Sequence, residues 1–162
     1  MATLRAHGLV APLPVGFEGR IFRRAAGPGE NPQAVAHFAT FALPAEVGDF
    51  GGGAVNLMTP TDVFAVLFEY GPESVGTRLF ARQDMPRSLS AGDFRPTVLR
   101  RGIPGQSGTQ WFFTEAGRPF TFYCVLGSHL LRAQLLPRVN ELLGGVQIGG
   151  RVPAASTTTG TS

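Results

Sequence analysis

Lysine is missing altogether, and all 14 basic side chains of this chain are arginines. With 11 acids they leave a formal net charge of +3. Nucleic-acid binders concentrate positive charge on one element. Here the doublets Arg23-Arg24 and Arg100-Arg101 lie far apart, with acids between them. A solvated basic surface is therefore expected, and nucleic acid is not the expected partner. Without lysine there is no P-loop. The glycine-rich stretches GDFGGG (48–53) and RGIPGQSG (101–108) also lack the G-x-G-x-x-G spacing, so they are expected to be loops.

Cysteine is nearly absent too. Cys124 stands alone, which excludes an internal disulfide and fits a reducing compartment. Histidine is scarce: His7, His37 and His129 include no pair at short ligand spacing, and a metal site needs about three ligands. Neither a metal nor a cofactor is expected. No run approaches the ~20 apolar residues that span a bilayer. The opening MATLRAHGLVAPLPVGFEG lacks the apolar core of a signal peptide. A soluble, cytoplasmic protein with no membrane contact is expected. Charged residues make up only 15%, against about 25% in ordinary domains. Gly, Ser, Thr, Gln and backbone must therefore cover much of the surface.

What is present reads as one α+β domain over 1–150 and a polar, disordered tail over 151–162. Thr3 to Val10 alternates weakly, and Pro12 and Pro14 break any regular element beyond it. GRIFRR (19–24) is short, and AAGPGENP (25–32) is turn chemistry. Gln33 to Leu43 reads as a strand covered on both faces, with His37 a hydrogen-bonded core histidine. The loop 44–53 leads into one helical turn at 54–58. Val63 to Tyr70 is β-branched and aromatic without a breaker, hence a strand. Residues 73–96 carry Gly, Pro or Ser every few positions. They are expected to form a long surface excursion pinned by Leu79, Phe80, Leu89 and Phe94. Three strands should come next, at Thr97–Arg101, Thr109–Glu115 and Arg118–Leu126, the last two joined by a tight Ala116-Gly117 turn. Leu135, Leu136, Val139, Leu142 and Leu143 form one helical stripe over 132–143. With the helix starting near Ala133 or Gln134, Pro137 sits in its first turn, where its missing N–H has no intrahelical partner. Gly144-Gly145 ends the helix, and Val146 to Ile148 can add a short edge strand.

GRPFTFYCVLGSH (117–129) gathers a thiol, a serine and a histidine. Strand alternation sets Cys124 with Phe120, Phe122 and Leu126, where desolvation disfavours the thiolate. Ser128 and His129 are neighbours in sequence and poorly placed to face each other, so turn or capping roles are expected. The acids form no sequence pair that reads as general acid and base. No catalytic residue is assigned. Trp111, Phe112 and Phe113 could stack on bases, but alternating aromatics lining a covered sheet explain them better.

The order of elements resembles the PsbP-like fold shared by thylakoid PsbP, the Ran-binding Mog proteins and the mycobacterial LpqN lipoproteins. Leu13 to Phe17 (LPVGF) is similar to the opening LP-x-GW of those chains, with Phe for Trp. Val139-Asn140-Glu141-Leu142-Leu143, then Val146-Gln147-Ile148, is similar to their closing helix and short strand. The Lys-free composition also resembles that of small uncharacterised actinobacterial proteins. The resemblance implies a single curved antiparallel sheet with one or two packed helices, in a protein that binds or assembles rather than catalyses. Fold analogy carries no residue roles.

The expected function is a non-enzymatic binding or assembly protein for a protein partner. Its candidate contacts are Phe50 in the 44–53 loop and Leu79, Phe80, Arg82, Met85 and Arg87 in the excursion. Arg100 and Arg101 complete the set. The alternative is a small-molecule or lipid carrier, or an unrecognised hydrolase, with a pocket between sheet and helix.

Overall fold

The computed structural model describes residues 2–151. Apart from Arg151, the tail expected over 151–162 lies outside the described residues. The fold is α+β, as expected, with antiparallel strands divided between two sheets rather than joined in one. No helix among the described residues is long and apolar enough to cross a membrane.

β1 (Thr3–Ala6) and β2 (Leu9–Pro12) form a hairpin whose two turn residues, His7 and Gly8, both take positive φ (50° and 77°). That is the backbone a two-residue I′ hairpin turn requires. Pro12 ends β2 rather than excluding it. β8 (Gln147–Ile148), the expected short edge strand, pairs with β2 to complete a three-stranded sheet.

The larger sheet holds β3 (Glu18–Arg23), β4 (Ala34–Ala39), β5 (Val63–Glu69), β6 (Ser107–Glu115) and β7 (Arg118–Leu126), in the order β3-β4-β5-β7-β6. β4 is buried throughout, as its two apolar faces require. On the inner face lie Phe38, Leu67, Phe122, Cys124 and Leu126. They meet Leu135, Val139, Leu142 and Leu143 of α1 (Arg132–Gly145) and Leu9, Ala11 and Ile148 of the small sheet. The outer face presents Val35, Phe64, Val66, Tyr123 and Val125. Val47, Ala54 and Val55 cover it from the 44–58 segment, joined by Leu99 and Ile103.

Two local expectations need correction. Thr97–Arg101 is not a strand: Pro96 starts a single 3-10 turn over Pro96–Val98. Pro137 lies past the first turn, because α1 begins at Arg132. It removes the N–H that would have bonded the Ala133 carbonyl. Both residues are exposed, so water can satisfy that oxygen.

The 73–96 excursion has a structural task. Alternation of the ladder turns the N–H and C=O of β6's even-numbered residues away from β7. Thr114 bonds there to Arg82 and Asp84, and Gly108 exchanges two bonds with Arg95 (2.8 and 3.0 Å). The excursion thus caps an edge strand at two points. Phe80, Leu89 and Phe94 pin it as expected, whereas Leu79 is 58% exposed.

Candidate functional site

The outer face of the large sheet carries the chemistry worth weighing. Strand alternation puts Arg20 and Phe22 of β3 on that face, with Arg24 just beyond, and pairing sets Arg20 opposite His37 of β4. The 44–53 loop folds over them. Arg20 donates to the carbonyls of Ala45 (3.1 Å) and Pro44 (2.5 Å). Arg24 pairs with Asp49 and donates to the Val47 carbonyl (3.1 Å). Between strand and loop lies a recess of about 710 Å³, lined by Arg20, Phe22, Arg24, His37, Val47 and Gly52 among others. That size suits a small molecule or an inserted side chain.

His37 forms part of its floor. The ring is fully buried between Phe22 (centroids 5.2 Å) and Phe64 (5.5 Å). Its Nε2 lies 3.0 Å from the Asp49 carbonyl oxygen, which can only accept, so Nε2 carries the proton. Nδ1 is then a lone-pair acceptor, and it is buried with no partner. Burial lowers the His37 pKa to about 4, helped by the charges of Arg20 and Arg24 and opposed by the Asp49 carbonyl bond. The ring is neutral at neutral pH.

A run of aromatic rings leaves this loop along the same face. Phe50 stacks on Phe68 (5.2 Å), Phe68 meets Tyr70 (5.0 Å), and Tyr70 meets Phe80 (5.1 Å) and Phe112 (6.3 Å). Phe50, Phe68, Tyr70 and Phe112 are only partly buried. Arg100 lies 3.7 Å over the Phe50 ring. Arg101 reaches Gly52 at the rim of the recess. Burial raises the Tyr70 hydroxyl pKa, with Arg100 pulling against it.

The expected contact residues therefore separate into groups. Phe50, Arg100 and Arg101 come together at the 44–53 loop, and Leu79 and Phe80 stand at the far end of the aromatic run. Phe80 and Met85 are buried. Arg82 packs over Trp111 (4.9 Å). Arg87 is tied to Glu115 (3.0 Å) and to the carbonyls of Leu143 and Val146. Met85 and Arg87 serve the junction of the excursion with the end of α1. Sequence reasoning missed Arg20, Phe22 and Arg24, although alternation in GRIFRR sets all three on one face.

The thiol, serine and histidine of 117–129 do not converge. Cys124 is fully buried, and burial pushes its thiol well up. Ser128 Oγ accepts from the Leu131 N–H (3.3 Å) at the entry to α1. His129 instead meets Ser107, at 2.9 Å through Nδ1. Ser107 is fully buried, and among the described residues no carboxylate hydrogen-bonds His129. The pair joins β6 to the start of α1 and lacks the group that would orient a catalytic base. No cluster of three potential metal ligands occurs among the described residues.

The layer between the large sheet and α1 is filled by apolar side chains, and the recess lies on the opposite face. Arg118 of β7 is buried in an ion pair with Glu69 (2.8 Å). Comparison with family profiles, with curated proteins and with solved structures finds no match.

Proposed function

We propose that this chain is a non-enzymatic binding or assembly protein whose partner docks on the outer face of the large sheet. One observation carries the reading: the aromatic run from Phe50 to Phe80 and Phe112 links the 44–53 loop to the excursion on a single face. Leu79, next to Phe80 in the chain, is exposed. Arg100, over the Phe50 ring, and Arg101, beside Gly52, have no ion-pair partner among the described residues. A protein segment combining apolar side chains with acids fits this chemistry. A duplex fits less well, because the arginines border apolar rings rather than line a charged groove.

The test is affinity capture with three forms of the protein. Arg100→Glu/Arg101→Glu and Leu79→Ser alter the proposed face, and Leu130→Ser alters a residue at the entry to α1 that is 90% exposed. Loss of the same captured protein from the first two variants, with retention by the third, supports the reading. Capture unchanged by both outer-face variants overturns it.

A second reading, small-molecule binding, rests on the unpartnered His37 Nδ1 on the floor of the recess. A ligand there would donate a hydrogen bond to Nδ1, which takes a small rearrangement of the loop. Native mass spectrometry of protein purified from its source supports this if a small molecule is retained by wild type and lost on His37→Leu. Retention of nothing by either form overturns it.

We also propose kinship with the PsbP-like fold, supported by the β6–β7 hairpin followed by one helix and a short last strand. A cytoplasmic, bacterial setting is proposed on the single buried thiol and the Lys-free composition.

A further inference from the structure

The two edges of the large sheet are treated differently. The excursion bonds across β6, but among the described residues nothing bonds across β3, which β1 approaches without pairing. The Thr40 N–H to Val63 carbonyl bond fixes which groups of β4 face β5. The odd-numbered residues of β4 then face β3, and the register Arg20↔His37 sets the even-numbered residues of β3 toward β4. The N–H and C=O of Gly19, Ile21 and Arg23 therefore point outward, with no backbone partner among the described residues. An edge strand with such groups free is a template for another strand.

We propose that β3 pairs with β3 of a second copy of this chain, antiparallel about a two-fold axis normal to the sheet. Charge selects the register. With Ile21 opposite Ile21 of the second copy, Gly19 faces Arg23, Arg20 faces Phe22, and Glu18 faces Arg24. The outward groups of Gly19, Ile21 and Arg23 then bond across the axis, and each Glu18 carboxylate meets an arginine. A slip of two residues one way sets Arg20 against Arg20, and the other way sets Arg20 against Arg24. Directly opposed like charges are unfavourable in a ladder. A slip of one residue sets outward groups against inward ones. Among registers within two residues of full overlap, the charges on β3 thus admit one self-complementary pairing. Because Arg20, Phe22 and Arg24 also line the recess, the two recesses come to flank the axis. The surface is distinct from the aromatic run, so this proposal does not depend on the partner-binding reading.

Sedimentation equilibrium of the full chain over a wide concentration range is the test. Wild type is expected to dimerise reversibly. Ile21→Pro removes an N–H that the protomer does not use, and is expected to leave a folded monomer. Glu18→Arg and Arg24→Glu are each expected to weaken the dimer about tenfold or more, and the double variant to restore it. Restoration by the double variant decides the matter even if the proline variant does not fold. A wild-type monomer at every concentration overturns the proposal. So does a dimer indifferent to both charge reversals, or one that takes up an added extended peptide at β3 in place of a second copy.

Discussion

His37 and Asp49 are joined by a bond that settles the tautomer of the histidine: Nε2 donates to the Asp49 carbonyl across 3.0 Å, leaving the buried Nδ1 with a lone pair and no donor. The bond fastens the middle of the 44–53 loop to the centre of β4. It holds the neutral ring in place and gives the loop a sensitivity to acid.

The first prediction rests on that sensitivity. His37 has a folded pKa of about 4 against an ordinary 6.5. Between those values the unfolded chain binds the proton and the folded one does not, so stability rises with pH across this window. The loss on going from pH 7 to pH 4 is on the order of 3 kcal/mol, at about 1.4 kcal/mol per pH unit. Urea melts at closely spaced pH values should show this slope in wild type, and His37→Leu should abolish it above pH 5.

Arg118 carries the second prediction. Its guanidinium meets both Glu69 oxygens and the carbonyls of His7 and Gly149, so one side chain joins β5, β7, the β1–β2 turn and the residue after β8. Burial drives the Glu69 carboxyl upward. The hydrogen bonds and charge of Arg118, with Arg151 added, outweigh that and hold the carboxyl below its ordinary 4.5. The stability so gained is present above about pH 4.5 and is lost as pH falls through the folded pKa. Removing Arg118 leaves the buried Glu69 charge to Arg151 alone, so Arg118→Met should cost about 3 kcal/mol, the lower end for breaking a buried pair. Glu69→Gln/Arg118→Met should cost clearly less than the sum of the single changes, measured as a double-mutant cycle.

Much of this frame is legible in the sequence, for reasons that also mark the limit. β4, β5, β7 and α1 announce themselves through local periodicity, and so does the placement of Cys124 among phenylalanines. The β1–β2 hairpin is hidden because its turn is His7-Gly8 rather than Asn-Gly, with a histidine at positive φ. The small sheet is hidden because β8 closes on β2 from the other end of the chain, and two residues give no local signal. The recess needs the same kind of non-local fact. Alternation sets Arg20, Phe22 and Arg24 on one face, but only the β3–β4 register brings them to His37. The excursion looks like a binding loop in sequence because irregularity is the visible property. Its bonds to Thr114 and Gly108 are not visible there.

The third prediction concerns Cys124, whose thiol is fully buried and pushed well up by burial. Thiolate is the reactive form, so labelling by a disulfide reagent at pH 8 should proceed only through opening of the fold. The labelling rate should rise with urea in step with unfolding. Rapid modification in native buffer would show an accessible thiolate and overturn the core assignment.

Gly127 supports the last prediction, through space rather than through conformation. A Cβ built there would stand 1.9 Å from the Thr59 carbonyl oxygen, closer than any real contact. The Gly127 N–H also donates to the Asp62 carbonyl (2.9 Å), so the backbone cannot simply retreat. Nor can the turn opposite. Asp62 accepts from the Thr59 N–H, the Thr59 hydroxyl and the Thr40 hydroxyl, and the Val63 N–H donates to that Thr40 oxygen. Moving Thr59 therefore strains the junction between β4 and β5. Gly127→Ala should lower stability by about 3 kcal/mol, the upper end of the usual overpacking cost. Gly144→Ala is the matched control: it lies near the end of α1, with nothing within 4 Å of the added carbon. That change should leave the protein as stable or up to about 1 kcal/mol more stable, because alanine suits a helix better than glycine. Equal melting midpoints for the two variants would mean that the Thr59 approach does not restrain the fold.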